Sequence, residues 1–215
     1  RSRGFILGPG RHPTFNVELP WSQLSPVAVG YSLVSPNLHR AVNHQFHSMR
    51  LALKEIRNRG YRRIGVVLNQ ETDDRVDNSF SAATLFYHST VKRAERIPLY
   101  EWQDTLQNFW NWVHRWKPDA ILSDRSRVLP LIKNLKHEAT GNPIGFAHLD
   151  ISDDKFPYSG IDQNWPHIGA VAVDIVVAQL NRNEFDIPDV PRTVMIEGRW
   201  IDGETLPAIE HVCKG

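Results

Sequence analysis

Cysteine is nearly absent from this chain. The only one, Cys213, stands two residues from the end. One cysteine cannot form an internal disulfide, which suits a reducing compartment. An excess of either charge is missing too: 25 basic residues face 24 acidic ones, a net charge of +1. A protein that grips nucleic acid unaided carries a basic surplus to neutralise phosphates, so this chain by itself should not hold DNA strongly. No run approaches the ~20 apolar residues of a membrane span. The opening segment Gly4-Phe5-Ile6-Leu7-Gly8 is too short for a secretory apolar region. There is no repeat of 20 to 50 residues and no low-complexity stretch. A helix-turn-helix, a nucleophile elbow, a metal motif and a close acid–base pair are all missing, so an enzyme is not expected. Gly8-Pro9-Gly10 is too short for a phosphate loop.

What is present is ordinary globular protein. The 215 residues are 41% hydrophobic and 23% charged, enough for one large domain or two small ones. Seven Trp, nine Phe and five Tyr supply apolar area to offset chain entropy. The local basic cluster Arg57, Arg59, Arg62 and Arg63 reads as a solvated helix end at the negative pole of the helix dipole.

Short apolar runs alternate with helical patterns. Strands are predicted at Gly4–Leu7, Val27–Tyr31, Ile64–Leu68, Ile97–Tyr100, Ala120–Ser123, Ile144–His148 and Thr193–Arg199. Near-continuous apolar runs such as Ile64–Leu68 suit a parallel sheet covered on both faces. A helix is predicted over His39–Arg59, where Val42, Phe46, Met49, Leu53 and Ile56 form one stripe and Gly60 fits the stop. Further helices follow: one capped by Asp104 with Leu106, Phe109, Trp110 and Val113 on one side, one at Arg127–His137 capped by Ser126, and one at Trp165–Asn181. The last is apolar almost all round, as expected of a helix wedged into an interior. The strand–helix alternation predicts an α/β fold with parallel sheets. Ligands in such folds bind outside the carboxyl ends of the strands.

The order of these segments resembles the lactose-repressor (LacI/GalR) family of transcription regulators. Gly4-Phe5-Ile6-Leu7 is similar to that family's "DGIIL" strand, and Pro26-Val27-Ala28-Val29 to its "PVV" strand. Leu53 through Arg59-Gly60-Tyr61-Arg62-Arg63-Ile64 resembles the helix ending "L...GHRRI". Lys117-Pro118-Asp119-Ala120-Ile121 resembles "RPDAI", Pro143-Ile144-Gly145-Phe146 the start of "vsvvGFDD", and Ile168-Gly169-Ala170 the "iG..A" helix. These and further such matches occur in order along nearly the whole chain. The resemblance implies two parallel-sheet subdomains of periplasmic-binding-protein type I, hinged about an effector cleft. Residues 1–60 with 161–190 would form the N-terminal-side subdomain and 61–160 with 191–210 the other. The first would be incomplete, exposing an edge and apolar surface, with a DNA-binding helix-turn-helix missing ahead of it.

The resemblance also points to an effector site. In the family an arginine in the loop after the third of these strands grips the effector, and Arg75 in the loop 69–78 is the nearest match. Its planar fork of donors suits hydroxyl pairs or carboxylates; the other reading pairs it with Asp73 or Asp77. Asn78 and Phe80 lie beside it. Asp124 follows its strand and either accepts ligand hydroxyls or caps the next helix. The sharpest departure is Ala147-His148, where the family carries an acidic pair; His148 is the candidate replacement, with Asp150 two residues on. Tyr31 ends its strand on the cleft side, to stack on a ligand or pack in the core. Gln163, on a crossing segment, touches ligand or fixes the hinge. His39, His44 and His47 lack a matched acidic or thiolate ligand, so no metal is expected.

The expectation is therefore the effector-binding and dimerisation core of a cytoplasmic repressor, needing no cofactor. It would sense a sugar or sugar derivative, form a homodimer, touch operator DNA only through a missing N-terminal domain and touch no membrane. The alternative is an extracytoplasmic solute-binding protein for a sugar transporter, which shares the fold.

Overall fold

The computed structural model describes residues 3–10, 15–102, 105–138, 140–151 and 157–209. In chain order the first half runs β1 (Gly4–Leu7), β2 (Phe15–Asn16), β3 (Ser25–Val29), β4 (Leu33–Ser35), β5 (His39–Asn43), α1 (Gln45–Asn58), β6 (Ile64–Leu68), α2 (Gln70–Arg75) and α3 (Ser79–Thr90). The second half runs β7 (Tyr100–Glu101), α4 (Leu106–Trp116), β8 (Ala120–Ser123), α5 (Val128–Ile132), β9 (Gly145–His148), β10 (Ser159–Asp162), α6 (Trp165–Arg182), β11 (Thr193–Ile196) and β12 (Arg199–Ile201).

Two main sheets result. The first has the order β1-β3-β5-β11 and is parallel throughout. The second has the order β12-β10-β9-β8-β6-β7, parallel except for the antiparallel edge β12. A small third sheet pairs β2 with β4. In the second sheet the chain steps from β6 outward to β7, then crosses back to β8 on the other side. That reversal between β6 and β8 is a topological switch point, which opens a crevice at the strands' carboxyl ends.

The expected α/β architecture is present. β6 and β8 fall where the sequence predicts them, and both are buried along their whole length. Gly65 in β6 lets Trp112 of α4 lie flat on the sheet: a Cβ there would stand 2.5 Å from the indole. Phe109, Trp112 and Val113 bury one side of α4 against β6 and β8 with Ile121, Phe146 and Tyr100. α1 buries Met49, Ala52, Leu53 and Ile56 on the other face. The arginines at its end serve the fold: Arg57 pairs with Glu95 at 2.7 Å, Arg59 with Glu55 at 2.9 Å and with Asp202, and Arg62 and Arg63 donate to backbone carbonyls. Asp119 accepts from the amides of Arg62 at 2.8 Å and Arg63 at 3.0 Å, locking the entry to β6.

Several predicted elements differ. The helix expected from His39 starts at Gln45; residues 39–43 form the central strand β5, hydrogen-bonded to β3 on one side and β11 on the other. Two ladders outweigh a weak helical stripe that began at Val42. The strand expected at Ile97–Tyr100 begins only at Tyr100, since Pro98 has no N–H to give a ladder. The single strand Thr193–Arg199 is two strands in different sheets, β11 and β12, with Glu197-Gly198 crossing between them. α5 stops at Ile132 rather than reaching His137, and Ser126 does not cap it. The cap expected of Asp104 lies outside the described residues. α6 is not wedged inside: it buries Ile168, Ala172, Val176 and Gln179 on the first sheet and leaves Val173 and Val177 about half exposed. At the β1 edge Phe5 and Ile6 are exposed as well. α1 packs on the second sheet and β11 belongs to the first, so the divisions expected at residues 60 and 190 fall at about 44 and 197 instead.

Candidate functional site

The carboxyl ends of both main sheets face one another across a cavity of about 440 Å³. From the first sheet come Pro9 and Gly10 after β1, Gly30, Tyr31 and Ser32 after β3, and Val42 and Asn43 at the end of β5, with Gln45 at the start of α1 on the crossing that follows. From the second come Thr72, Arg75, Val76 and Phe80 after β6, Asp124 after β8, and His148, Leu149 and Asp150 after β9. Gln163 and Trp165 complete it from the segment that crosses between the sheets. The volume lies in the range of small-molecule sites.

Six of the seven residues singled out in the sequence meet here: Tyr31, Arg75, Phe80, Asp124, His148 and Gln163. Asn78 does not. It takes a left-handed conformation (φ 55°) at the start of α3 and is exposed outside the cavity. The segment expected as a loop at 69–78 is mostly the short helix α2, capped by Asn69, whose Oδ1 accepts from the Thr72 amide at 3.1 Å.

Arg75 closes α2 and reaches over the cleft. Its Nη1 donates to the carbonyl of Gly10, in the opposite sheet's loop, at 3.4 Å, and its buried Nε has no partner among the described residues. It pairs with neither Asp73 nor Asp77. Asp73 is buried and spends its carboxylate on the amides of Phe80 at 3.0 Å and Ser81 at 3.3 Å, capping α3 and setting Phe80 into the cavity wall. Asp124 does not cap the helix that follows it. It accepts from the Asn69 amide at 3.0 Å, and from Thr72, so it ties the β8 end to the β6 end. Burial pushes its carboxyl above the ordinary aspartate value, with the Thr72 and Asn69 hydrogen bonds and the Arg125 charge pulling the other way.

His148 is buried and stacks on Tyr158 at 5.5 Å between ring centres. Its Nδ1 accepts from the Asp150 amide at 3.1 Å, so the neutral ring carries its proton on Nε2. Tyr31 follows Gly30, whose φ of 76° turns the chain out of β3. Arg40 lies 5.4 Å from the Tyr31 ring centre, within cation–π reach. Burial raises the Tyr31 hydroxyl pKa against the lowering pull of that guanidinium.

Gln163 holds the hinge. Its Nε2 donates to the Leu149 carbonyl at 2.9 Å and its Oε1 accepts from Gln45 Nε2 at 3.2 Å; its own carbonyl accepts from Asn43 Nδ2 at 3.0 Å. The crossings at 43–45 and 162–165 are thereby tied together. The third, 196–199, joins through the His44 amide donating to the Ile196 carbonyl at 2.8 Å and through Arg199 pairing with Asp162 at 2.8 Å.

Sequence reasoning passed over Gln45, Asn43, Thr72 and Trp165 as site residues. Trp165 had a signal: an aromatic immediately after a crossing segment, behind Asn164, which takes the left-handed conformation (φ 59°) that Asn tolerates. Its indole N–H donates to Asp150 at 3.1 Å. Gln45 had none, because it was assigned to the interior of a helix that in fact starts there. Its Oε1 is buried without a partner among the described residues. A free donor on Arg75, a free acceptor on Gln45, and the aromatic rings of Tyr31, Phe80 and Trp165 around them suit a compact polar ligand with hydroxyls and an apolar face.

No protein-family model and no curated protein matches this chain. Solved structures do. A LacI transcriptional regulator from a Rhodococcus species superposes with a TM-score of 0.66 at 17% identity, over 98% of this chain and 80% of that one. The fold is that of LacI-family regulators. A LacI-family regulator from Enterococcus faecalis V583, solved with bound ribose, gives 0.65 at 11% identity, over 98% and 79%. The regulator CelR, in complex with cellobiose, gives 0.61 at 15% identity. This chain covers 94% of its own length there and 65% of CelR. The LacI-family fold is a periplasmic-binding-protein-like pair of α/β lobes, and this chain reproduces it with parallel-dominated sheets and a cleft between their carboxyl ends.

Proposed function

We propose that this chain is the effector-binding core of a LacI-family transcriptional repressor that senses a sugar or sugar derivative in the cleft. It is a binding protein and not an enzyme. One observation carries the reading: the cleft between the two sheets keeps, among the described residues, an unpartnered donor, Arg75 Nε, and an unpartnered acceptor, Gln45 Oε1, among aromatic walls. Buried polar atoms left unpaired cost free energy until a ligand satisfies them. The sugars bound to structurally similar regulators, ribose and cellobiose, are of that chemistry.

In this reading Arg75, Asp124 and His148 take hydroxyls, Tyr31, Phe80 and Trp165 stack or pack against the ring, and Gln163 fixes the hinge. The core works as a homodimer in the cytoplasm and reaches operator DNA through a separate N-terminal domain. The effector shifts the closure of the lobes by its differential affinity for the two states, and no more than that.

The test is a thermal-shift screen of pentoses, hexoses and disaccharides. A ligand at 100 times its dissociation constant adds ~2.7 kcal/mol of stability, and Arg75→Ala abolishes the gain. A gain that survives Arg75→Ala removes Arg75 from the site. Binding to amino acids or purines with no response to any saccharide overturns the sugar assignment. A full-length protein that binds no DNA upstream of its own operon favours the solute-binding alternative.

A further inference from the structure

A second groove lies on the far side of the second sheet, between α1 and α3, with a volume of about 520 Å³. Its floor and lip are apolar: Leu51, Leu53, Tyr87 and Val91 below, with Phe86 46% exposed at the lip. Leu85, 70% exposed, precedes it on the same helix. Along α1 runs a basic row, His47, Arg50, Lys54 and Arg57, spaced 3, 4 and 3 residues apart and so on one helix face. No carboxylate lines the groove.

Two of these four residues already have a carboxylate beside them. Arg57 is tied to Glu95 at 2.7 Å, and His47 lies 4.0 Å from Glu197 at the groove's other end. Arg50 and Lys54 are exposed and, among the described residues, have no carboxylate within salt-bridge distance. Arg50 is also fixed in place. Its guanidinium lies 5.0 Å from the Phe86 ring centre and 5.9 Å from that of Phe46, bridging the two helices. A guanidinium set over two rings keeps N–H donors for a carboxylate, in the bidentate geometry arginine favours.

We propose that this groove docks an acidic amphipathic helix of a partner protein. Charge chooses the occupant. A second copy of the chain would bring the same basic row against itself and repel. Duplex DNA would find positive charge but no use for an exposed Phe86 and Leu85. An acidic helix uses both features: leucines over the apolar floor, and carboxylates one turn apart against Arg50 and Lys54. The 14 residues of α1 span ~21 Å, room for about three to four turns of such a ligand.

The probe is a fluorescein-labelled 18-residue helical peptide with leucines at heptad positions and glutamates on the flanking ones, read by fluorescence anisotropy against the 215-residue chain. Saturable binding is expected, with the affinity falling at least tenfold in Arg50→Glu/Lys54→Glu. Phe86→Ala weakens it at least fivefold. A lysine-for-glutamate version of the peptide does not bind. All three substitutions are at exposed positions, and an unchanged unfolding midpoint excludes misfolding. Equal affinity for wild type and the charge-reversed variant overturns the proposal. So does preferential binding, in the same groove, of an 18-base-pair duplex or of vesicles rich in phosphatidylserine.

Discussion

Replacing Gln163 by leucine, close in volume, is expected to loosen the hinge by removing its hydrogen bonds while keeping its bulk. At least two bonds disappear, the 2.9 Å donation to Leu149 and the 3.2 Å acceptance from Gln45. Both surviving partners are buried near a side chain that is 5% exposed. Each buried polar group left unsatisfied costs ~1–3 kcal/mol, offset in part by the apolar transfer of the new side chain. The net expectation is a loss of about 2–4 kcal/mol. Gln45→Leu alone removes one of these bonds and should cost about 1–2 kcal/mol. The double variant should then be less damaging than the sum by roughly 1 kcal/mol, because neither residue is left facing an unmet partner. Urea unfolding followed by tryptophan fluorescence gives all three values. A loss below 0.5 kcal/mol for Gln163→Leu, or strict additivity in the cycle, would refute the claim that this side chain clamps the crossing segments.

Other expectations are narrower. Asp73→Ala removes the cap of α3 and should cost about 1–2 kcal/mol, whereas Asp73→Asn keeps an acceptor and costs less; urea midpoints and exchange of the Phe80 and Ser81 amides distinguish them. Gly198→Val pushes a Cβ to 2.8 Å from Ile161 and Ser48 and 3.1 Å from the Asp162 carbonyl, so overpacking of about 1–3 kcal/mol is expected in the same assay. The raised Asp124 pKa means the folded chain holds that proton after the unfolded chain has lost it. Stability from this group is present at acid pH and declines as pH rises from the unfolded value through the folded one. Asp124→Asn should flatten that part of the pH–stability curve; an unchanged curve rules the assignment out. For His39, burial and Arg192 lower the pKa, so the unfolded chain takes the proton first. Stability is lost as pH falls through the unfolded imidazole value towards the folded one, and His39→Asn should remove that acid-side slope.

Much of this was legible in the sequence, and the limits have physical causes. Buried parallel strands such as β6 and β8 announce themselves because both faces are covered and the run is apolar throughout. Cleft residues at strand ends were readable for the same reason: locating the strand locates its carboxyl end, and with it Arg75, Asp124 and His148. Of the three crossings only the one at Gln163 was readable; those at 43–45 and 196–199 were not. β5 carries His39, Arg40 and Asn43, all buried, and polar residues inside a strand mimic a helix face when only the apolar ones are counted. The break between β11 and β12 hinges on Gly198, whose missing side chain admits Ile161 and Ser48; close approach of distant segments leaves no local pattern. Gln45 was hidden by the same error, since a helix thought to start six residues earlier buried its first turn.

These crossings decide what an effector can accomplish. Among the described residues, Arg75 is the cavity side chain hydrogen-bonded from one sheet's loop directly to the other's, through the Gly10 carbonyl at 3.4 Å. That bond is long, and the same guanidinium keeps Nε free, so the contact across the mouth is weak by itself. The hinge end is the opposite, with short buried bonds at Gln163 and Asn43. A lobe pair clamped at one end and barely latched at the other moves by rotation about the clamp. A ligand gripping Arg75 from the second sheet and Tyr31 from the first then adds cross-cleft contacts that exist only when the mouth is shut, and such differential contacts are what shift a two-state equilibrium. A ligand held by second-sheet groups alone, Asp124 and His148, would bind and leave the equilibrium where it was. Tyr31→Ala should therefore separate binding from closure: affinity falls modestly, while the ligand-induced compaction measured by small-angle scattering disappears. Full compaction in Tyr31→Ala would mean that the signal passes through Arg75 and Gly10 instead.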